Sequence, residues 1–95
     1  MSLTTAIVHI DVEADQIPEA AEAIVNIDGV TEVYSITGDW DLIAMVRVSD
    51  HEKLAAIIPG GISKVDGVIR TETQLAFRAY SRHDLEAAFS LGYDE

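Results

Sequence analysis

The sequence predicts an α+β domain with the element order βαββαβ. Its 95 residues suffice for one domain. Segments in which apolar residues recur at every second position alternate with segments in which they recur at helical spacing. An Asp-Gly-Val segment also occurs twice, at 28–30 and 66–68, each time between a predicted helix and a predicted strand. Two such halves are typical of a ferredoxin-like fold, in which two helices cover one face of a four-stranded antiparallel sheet.

The first half contains one strand and one helix. Residues 4–12 alternate between two faces, which predicts the first strand. One face of this strand carries Ala6, Val8, Ile10 and Val12. Asp15 and Pro18 open the helix, because proline is tolerated in a first helical turn. The apolar stripe of the helix is Ala20, Ala21, Ile24 and Ile27. Gly29 ends the helix, since glycine readily adopts the left-handed conformation found there.

The second half begins with a hairpin. Residues 30–37 and 42–48 are strands joined by the turn 38–41, and so short a link predicts antiparallel pairing. Ser49, with Glu52 three positions later, indicates a capping box at the start of the second helix. The predicted buried residues of this helix are Leu54, Ile57 and Ile58.

The rest of the chain completes the fold. Pro59-Gly60-Gly61 interrupts the second helix, and the fourth strand runs from about residue 68 to 77. We assign residues 1–80 to the domain proper. Residues 81–95 are its carboxy-terminal helix and tail, with Ser81 and Asp84 at the helix start.

The charge of the chain argues against nucleic-acid binding. Seventeen acidic residues outweigh 6 Lys+Arg, for a net charge of −11, and the basic residues are scattered singly. Phosphate binding requires clustered cations, so we expect no direct contact with nucleic acid. No apolar run is long enough to cross a membrane and no signal peptide is recognisable, so we expect no membrane contact and a cytoplasmic location.

No catalytic, metal or cofactor motif is recognisable. The chain has no cysteine, which excludes disulfides and thiolate chemistry. His9, His51 and His83 lack the spacing of a helical metal pair, and no nucleophile elbow or phosphate-binding glycine loop occurs. We therefore expect no metal, no cofactor and no enzymatic activity.

Both faces of the predicted sheet carry apolar side chains. Ile7 lies on the face of the first strand opposite to Val8, and Ile43 and Met45 lie opposite to Ala44 and Val46. Two helices cover only one face. We therefore expect the second face to pack against another copy of the chain, in the manner of a dimeric α/β barrel. The alternative is that the carboxy-terminal helix covers this face.

Two segments resemble a known family. The segment 37–43, Thr-Gly-Asp-Trp-Asp-Leu-Ile, and the segment 65–73, Val-Asp-Gly-Val-Ile-Arg-Thr-Glu-Thr, together resemble the effector-binding (RAM) domain of Lrp/AsnC transcriptional regulators. The resemblance extends over about residues 4–80. No helix-turn-helix precedes the first strand, so we expect a stand-alone effector domain. The resemblance implies dimers that assemble into rings, amino acids or similar metabolites as ligands, and full-length family regulators as further partners.

The resemblance also implies a ligand site. Its matching positions are Gly38, Asp39, Trp40, Asp41, Thr71 and Thr73. A glycine in a tight turn lets a ligand approach the backbone. Asp39 or Asp41 can accept hydrogen bonds from an α-ammonium group, and Trp40 can supply an apolar wall. The alternative is an ordinary hairpin turn, in which aspartate is common for local reasons.

Two other functions remain open at this point. A dimeric α/β-barrel enzyme would share the fold, and it would direct side chains such as His9 and Arg47 into the space between paired sheets. A pure oligomerisation module would bind a partner protein and no metabolite.

Overall fold

A computed structural model describes residues 3–80 and residue 82 and confirms the predicted fold. The principal elements are β1 (Thr4–Val12), α1 (Ile17–Val25), β2 (Val30–Ser35), β3 (Leu42–Val48), α2 (Leu54–Ile57) and β4 (Val68–Leu75). Short 3-10 turns lie at Ala14–Gln16, His51–Lys53 and Ile62–Lys64. The strands form one antiparallel sheet in the order β2-β3-β1-β4. The predicted carboxy-terminal helix lies outside the described residues.

The core lies between the helices and one face of the sheet. Alternate residues of β1 and β3 are buried, because successive side chains of a strand point to opposite faces. These residues are Ala6, Val8, Ile10 and Val12 of β1 and Leu42, Ala44, Val46 and Val48 of β3. Ala20 and Ile24 of α1 and Leu54 and Ile57 of α2 cover them, together with Ile58 and Ile62.

The repeated Asp-Gly-Val segment adopts the same turn in both halves. Gly29 and Gly67 have φ angles of +98° and +92°. The amide of Val30 donates to the carbonyl of Ile27 at 3.0 Å, and the amide of Val68 donates to Val65 at 3.1 Å. A residue with a side chain rarely adopts this φ, which explains the glycine in both copies.

Four element boundaries differ from the prediction, and one of them is the end of α1 at Val25 rather than at Gly29. β2 ends at Ser35 rather than at residue 37, and β4 ends at Leu75 rather than near residue 77. Ser49 does not cap the second helix. Asp50 instead caps the 3-10 turn that leads into α2, with its carboxylate accepting the amide of Glu52 at 2.9 Å. Both residues are of the capping type, so the local sequence did not distinguish them.

The second face of the sheet, called here the outer face, is not covered by α1 or α2. The strand register places twelve side chains on it. They are Glu32 and Tyr34 of β2, Ile43, Met45 and Arg47 of β3, Thr5, Ile7, His9 and Asp11 of β1, and Arg70, Glu72 and Gln74 of β4. Its centre is therefore apolar and its margin is charged.

Candidate functional site

The predicted turn lies in the link between β2 and β3, residues 36–41. It is closed at its base by the amide of Ile36, which donates to the carbonyl of Asp41 at 3.0 Å. The amide of Asp41 donates to the carbonyl of Ile10 at 3.1 Å, which holds the turn against β1. Among the described residues, the amides of the four intervening positions, 37–40, make no hydrogen bond. The tip of the turn thus presents unpaired backbone donors.

Gly38 lies at this tip in a conformation that favours glycine. Its φ is +107°, and no heavy atom lies within 4 Å of the position that a β-carbon would occupy. Packing therefore does not explain the glycine, but its φ does. The space beside it is open to a molecule approaching the backbone.

Asp41 has a structural contact that the sequence did not reveal. Its Oδ2 accepts the backbone amide of Val12 at 2.9 Å. This bond forms where the register of β1 against β4 shifts, between Asp11 and Val12. The side chain is partly buried. Asp39, by contrast, is exposed and is the carboxylate of the turn that is accessible to a ligand.

Trp40 lies on the outer face, in a cluster with side chains of β1 and β4. The Arg70 guanidinium lies over its ring, with Cζ 4.1 Å from the ring centroid. The His9 ring lies 5.7 Å away, centroid to centroid, at an angle of 50°. The Nε of Arg70 also donates to Oδ2 of Asp11 at 2.7 Å. The turn is therefore connected through Trp40 to both strands.

The two predicted threonines lie on the opposite face from this cluster. Thr71 pairs with Ile10 and Thr73 pairs with Val8, and both partners point toward the helices. Thr71 is partly buried and Thr73 is exposed. The structure thus brings Gly38 to Asp41 together, but within one protomer it separates the Trp40 side chain from the threonine side chains by the sheet.

Sequence reasoning missed Arg70 and Asp11 as members of this cluster. The only local signal was that Arg70 precedes Thr71 on a strand and so must point to the other face. His9 belongs to the cluster as well. Its Nε2 lies 2.9 Å from Oε1 of Gln74, whereas its Nδ1 is buried without a hydrogen-bond partner among the described residues.

A second feature of the outer face is a groove of about 310 Å³. It lies between the strands and the segment that follows β4. Its lining includes Leu3, Ile7, Met45, Phe77 and Arg78. Arg47 also borders the groove, donating to Thr31 at 2.6 Å and to Glu32 at 3.3 Å.

Two further structural observations concern the described residues alone. No helix among them is long and apolar enough to span a membrane. No three potential metal ligands cluster within this part of the chain.

Comparison with known proteins identifies the family. The Lrp/AsnC ligand-binding domain model matches residues 5–85. The chain belongs to the Lrp/AsnC family. This membership confirms the prediction of a ligand-binding regulatory domain that is not an enzyme, and it sets aside the α/β-barrel enzyme alternative.

Three relatives show how similar this Lrp/AsnC domain is to other members of the family in sequence or structure. TTHA0845 from Thermus thermophilus superposes with a TM-score of 0.78 and 47% identity, over 83% of this chain and 99% of that one. The HTH-type transcriptional regulator PH1916 from Pyrococcus horikoshii is 39% identical over 59 residues, 62% of this chain and 39% of that protein. The chain thus spans about two fifths of the length of PH1916.

The third relative is the transcriptional regulator NMB0573 from Neisseria meningitidis, in complex with L-Met. Its TM-score is 0.74, over 83% of this chain and 53% of that one. At 12% identity, this similarity shows the shared fold alone.

Proposed function

We propose that this Lrp/AsnC domain binds an amino acid or a similar small zwitterion at the turn 36–41 and acts as an oligomeric sensor. The observation that carries the proposal is the tip of the turn. There, unpaired backbone amides and the open space beside Gly38 lie next to the exposed carboxylate of Asp39. Free amides suit a ligand carboxylate, and a carboxylate suits an ammonium group.

Thr71 and Thr73 lie on the sheet face opposite to Trp40, so one protomer does not bring all the predicted site residues together. A small ligand at the Trp40 ring cannot also reach the Thr71 and Thr73 hydroxyls of the same protomer, because the sheet lies between them. We propose that the threonines contribute from a neighbouring copy in the assembly. Ligand binding and oligomerisation would then be coupled, as a sensor requires.

The outer face supports self-association. Its centre combines Ile7, Ile43 and Met45, and an apolar surface of this kind is typical of an interaction site. Its strands carry two arginines and three carboxylates, a balance of −1, whereas the whole chain carries −11. Two copies that meet at this face therefore bring together the surface with little net charge, which limits repulsion.

Two finer statements belong to the same proposal. The dimers assemble further into rings, and the domain associates with full-length Lrp/AsnC regulators through surfaces of the same fold. The chain itself does not bind DNA, because its basic residues do not form the cluster that phosphates require.

Thermal-shift screening with the twenty proteinogenic amino acids tests the proposal. A ligand that binds only the folded state raises the melting temperature. At a concentration of 100 times its Kd, it adds about 2.7 kcal/mol to the free energy of unfolding. We expect one or a few amino acids to raise the melting temperature, and Asp39→Asn to reduce that effect. If no amino acid shifts the melting temperature at millimolar concentration, the proposed sensor function is wrong. That result would favour the alternative of a pure oligomerisation module.

A further inference from the structure

We propose that Arg70, together with the free amides of the turn, recognises the carboxylate of the bound amino acid, and that Asp11 is the residue that positions Arg70. The inference rests on the proposed function, because it adds a specificity-determining residue to the same site. Arg70 lies in the segment 65–73 that carries the family resemblance, but it is not among the ligand-site positions that the resemblance implies. The structure brings it to the turn through the Trp40 ring.

The guanidinium of Arg70 is held in a defined orientation. Its Cζ lies over the indole of Trp40, 4.1 Å from the ring centroid. Its Nε is paired with Asp11 at 2.7 Å. An arginine fixed by contact with a ring and by one ion pair loses less side-chain entropy when it binds a ligand than an unconstrained one does.

This orientation leaves donors available. The ion pair with Asp11 uses only Nε of the guanidinium. Among the described residues, the two terminal amino groups make no hydrogen bond and no ion pair. Their N–H groups lie in the plane of the guanidinium, which is the geometry that binds a carboxylate through two parallel hydrogen bonds.

Accessibility and charge agree with this role. The Arg70 side chain is 59% exposed, whereas its partner Asp11 is 19% exposed. Within one protomer, the anchor is thus sheltered while the recognising end is exposed. The site is also mixed in charge, with Arg70 on the sheet and Asp39 in the adjoining turn, as a zwitterion requires.

Arg70 can be distinguished from a purely structural residue by chemistry. Each of the twenty amino acids is titrated against the full chain, with the fluorescence of Trp40 as the signal, since this is the one tryptophan of the sequence. The strongest binder is then titrated again as its α-amide, which lacks the carboxylate. The same titrations are made with Arg70→Gln, Asp11→Asn and Arg78→Gln.

The expected result is selective for the free acid. Arg70→Gln should weaken binding of the acid by about 10- to 100-fold, as expected for loss of hydrogen bonds to a charged group. It should leave binding of the amide within about twofold. Asp11→Asn should weaken binding of the acid less than Arg70→Gln does. Arg78→Gln should change neither, because Arg78 lies over Tyr80, at 5.6 Å, and not over Trp40.

Four results would overturn the inference. Equal losses for acid and amide with Arg70→Gln would assign Arg70 a structural role only. Unchanged affinity for the acid would exclude it from the site while leaving the proposed function intact. Dissociation of the oligomer by Arg70→Gln, measured by light scattering on the same samples, would assign it to the interface instead. If the wild-type chain binds no amino acid, the proposed function and this inference both fail.

Discussion

Replacing Asp41 by alanine should destabilise the domain even in the absence of any ligand. The sequence placed Asp41 in the turn but did not reveal its contact with β1. Its Oδ2 accepts the amide of Val12 at 2.9 Å, and Val12 is only 4% exposed. Asp41→Ala would leave this buried amide without its acceptor.

The magnitude follows from that contact. An unsatisfied buried donor costs about 1–3 kcal/mol. Asp41 is partly exposed, so water can replace some of the lost interaction, and we expect a loss of about 2 kcal/mol in the free energy of unfolding. For a domain of this size, that corresponds to a melting temperature lower by roughly 10 °C. Asp41→Asn keeps a carbonyl acceptor and should cost less than about 1 kcal/mol.

Urea denaturation at one fixed protein concentration provides the assay, because the stability of an oligomer depends on its concentration. Asp39→Ala is the matched control, since Asp39 lies in the same turn but is exposed and accepts no hydrogen bond within the described residues. It should change stability by less than about 0.5 kcal/mol. Equal stability of Asp41→Ala and Asp39→Ala would refute the structural role of the Asp41 carboxylate.

The remaining predictions concern association, nucleic acid and backbone conformation. Met45→Lys should weaken self-association, because it places an unpaired charge at the centre of the outer face. The control Ala23→Lys, on the exposed side of α1, should not weaken it. Equal effects of the two variants in sedimentation velocity would contradict this prediction. The purified chain should not shift a duplex DNA fragment in an electrophoretic assay at physiological salt. A shift would contradict the inference that a chain with this charge does not bind DNA. Gly67→Ala should lower stability more than Gly38→Ala, because both glycines have a positive φ but only at Gly67 would the new β-carbon approach Gln16 Cβ to 2.8 Å. Equal losses in urea would show that this contact relaxes at no cost.

The fold could be predicted because its signals are local. The alternation along β1 and the helical spacing of Ala20 and Ile24 depend on residues a few positions apart. The repeated Asp-Gly-Val turn likewise requires only one conformation at one glycine. Such patterns do not depend on where distant strands pair.

The site was predicted only in part because its remaining contacts depend on register. The bond from Asp41 to Val12 spans 29 positions, and that from Arg70 to Asp11 spans 59. A shift of one residue in a strand exchanges its two faces, so the pairing of Arg70 with Asp11 decides which β4 side chains meet Trp40. The sequence around the turn does not show this pairing, which is why Arg70 was missed and the threonines were grouped with Trp40.

Native mass spectrometry of the chain in a mixture of the twenty amino acids tests the central claim most directly, because one spectrum reports both the number of copies and the bound ligand. We predict dimers or multiples of dimers that carry an amino acid. For Asp39→Asn, a smaller fraction of these oligomers should carry an amino acid. A monomer that carries no amino acid at micromolar protein concentration would contradict the account.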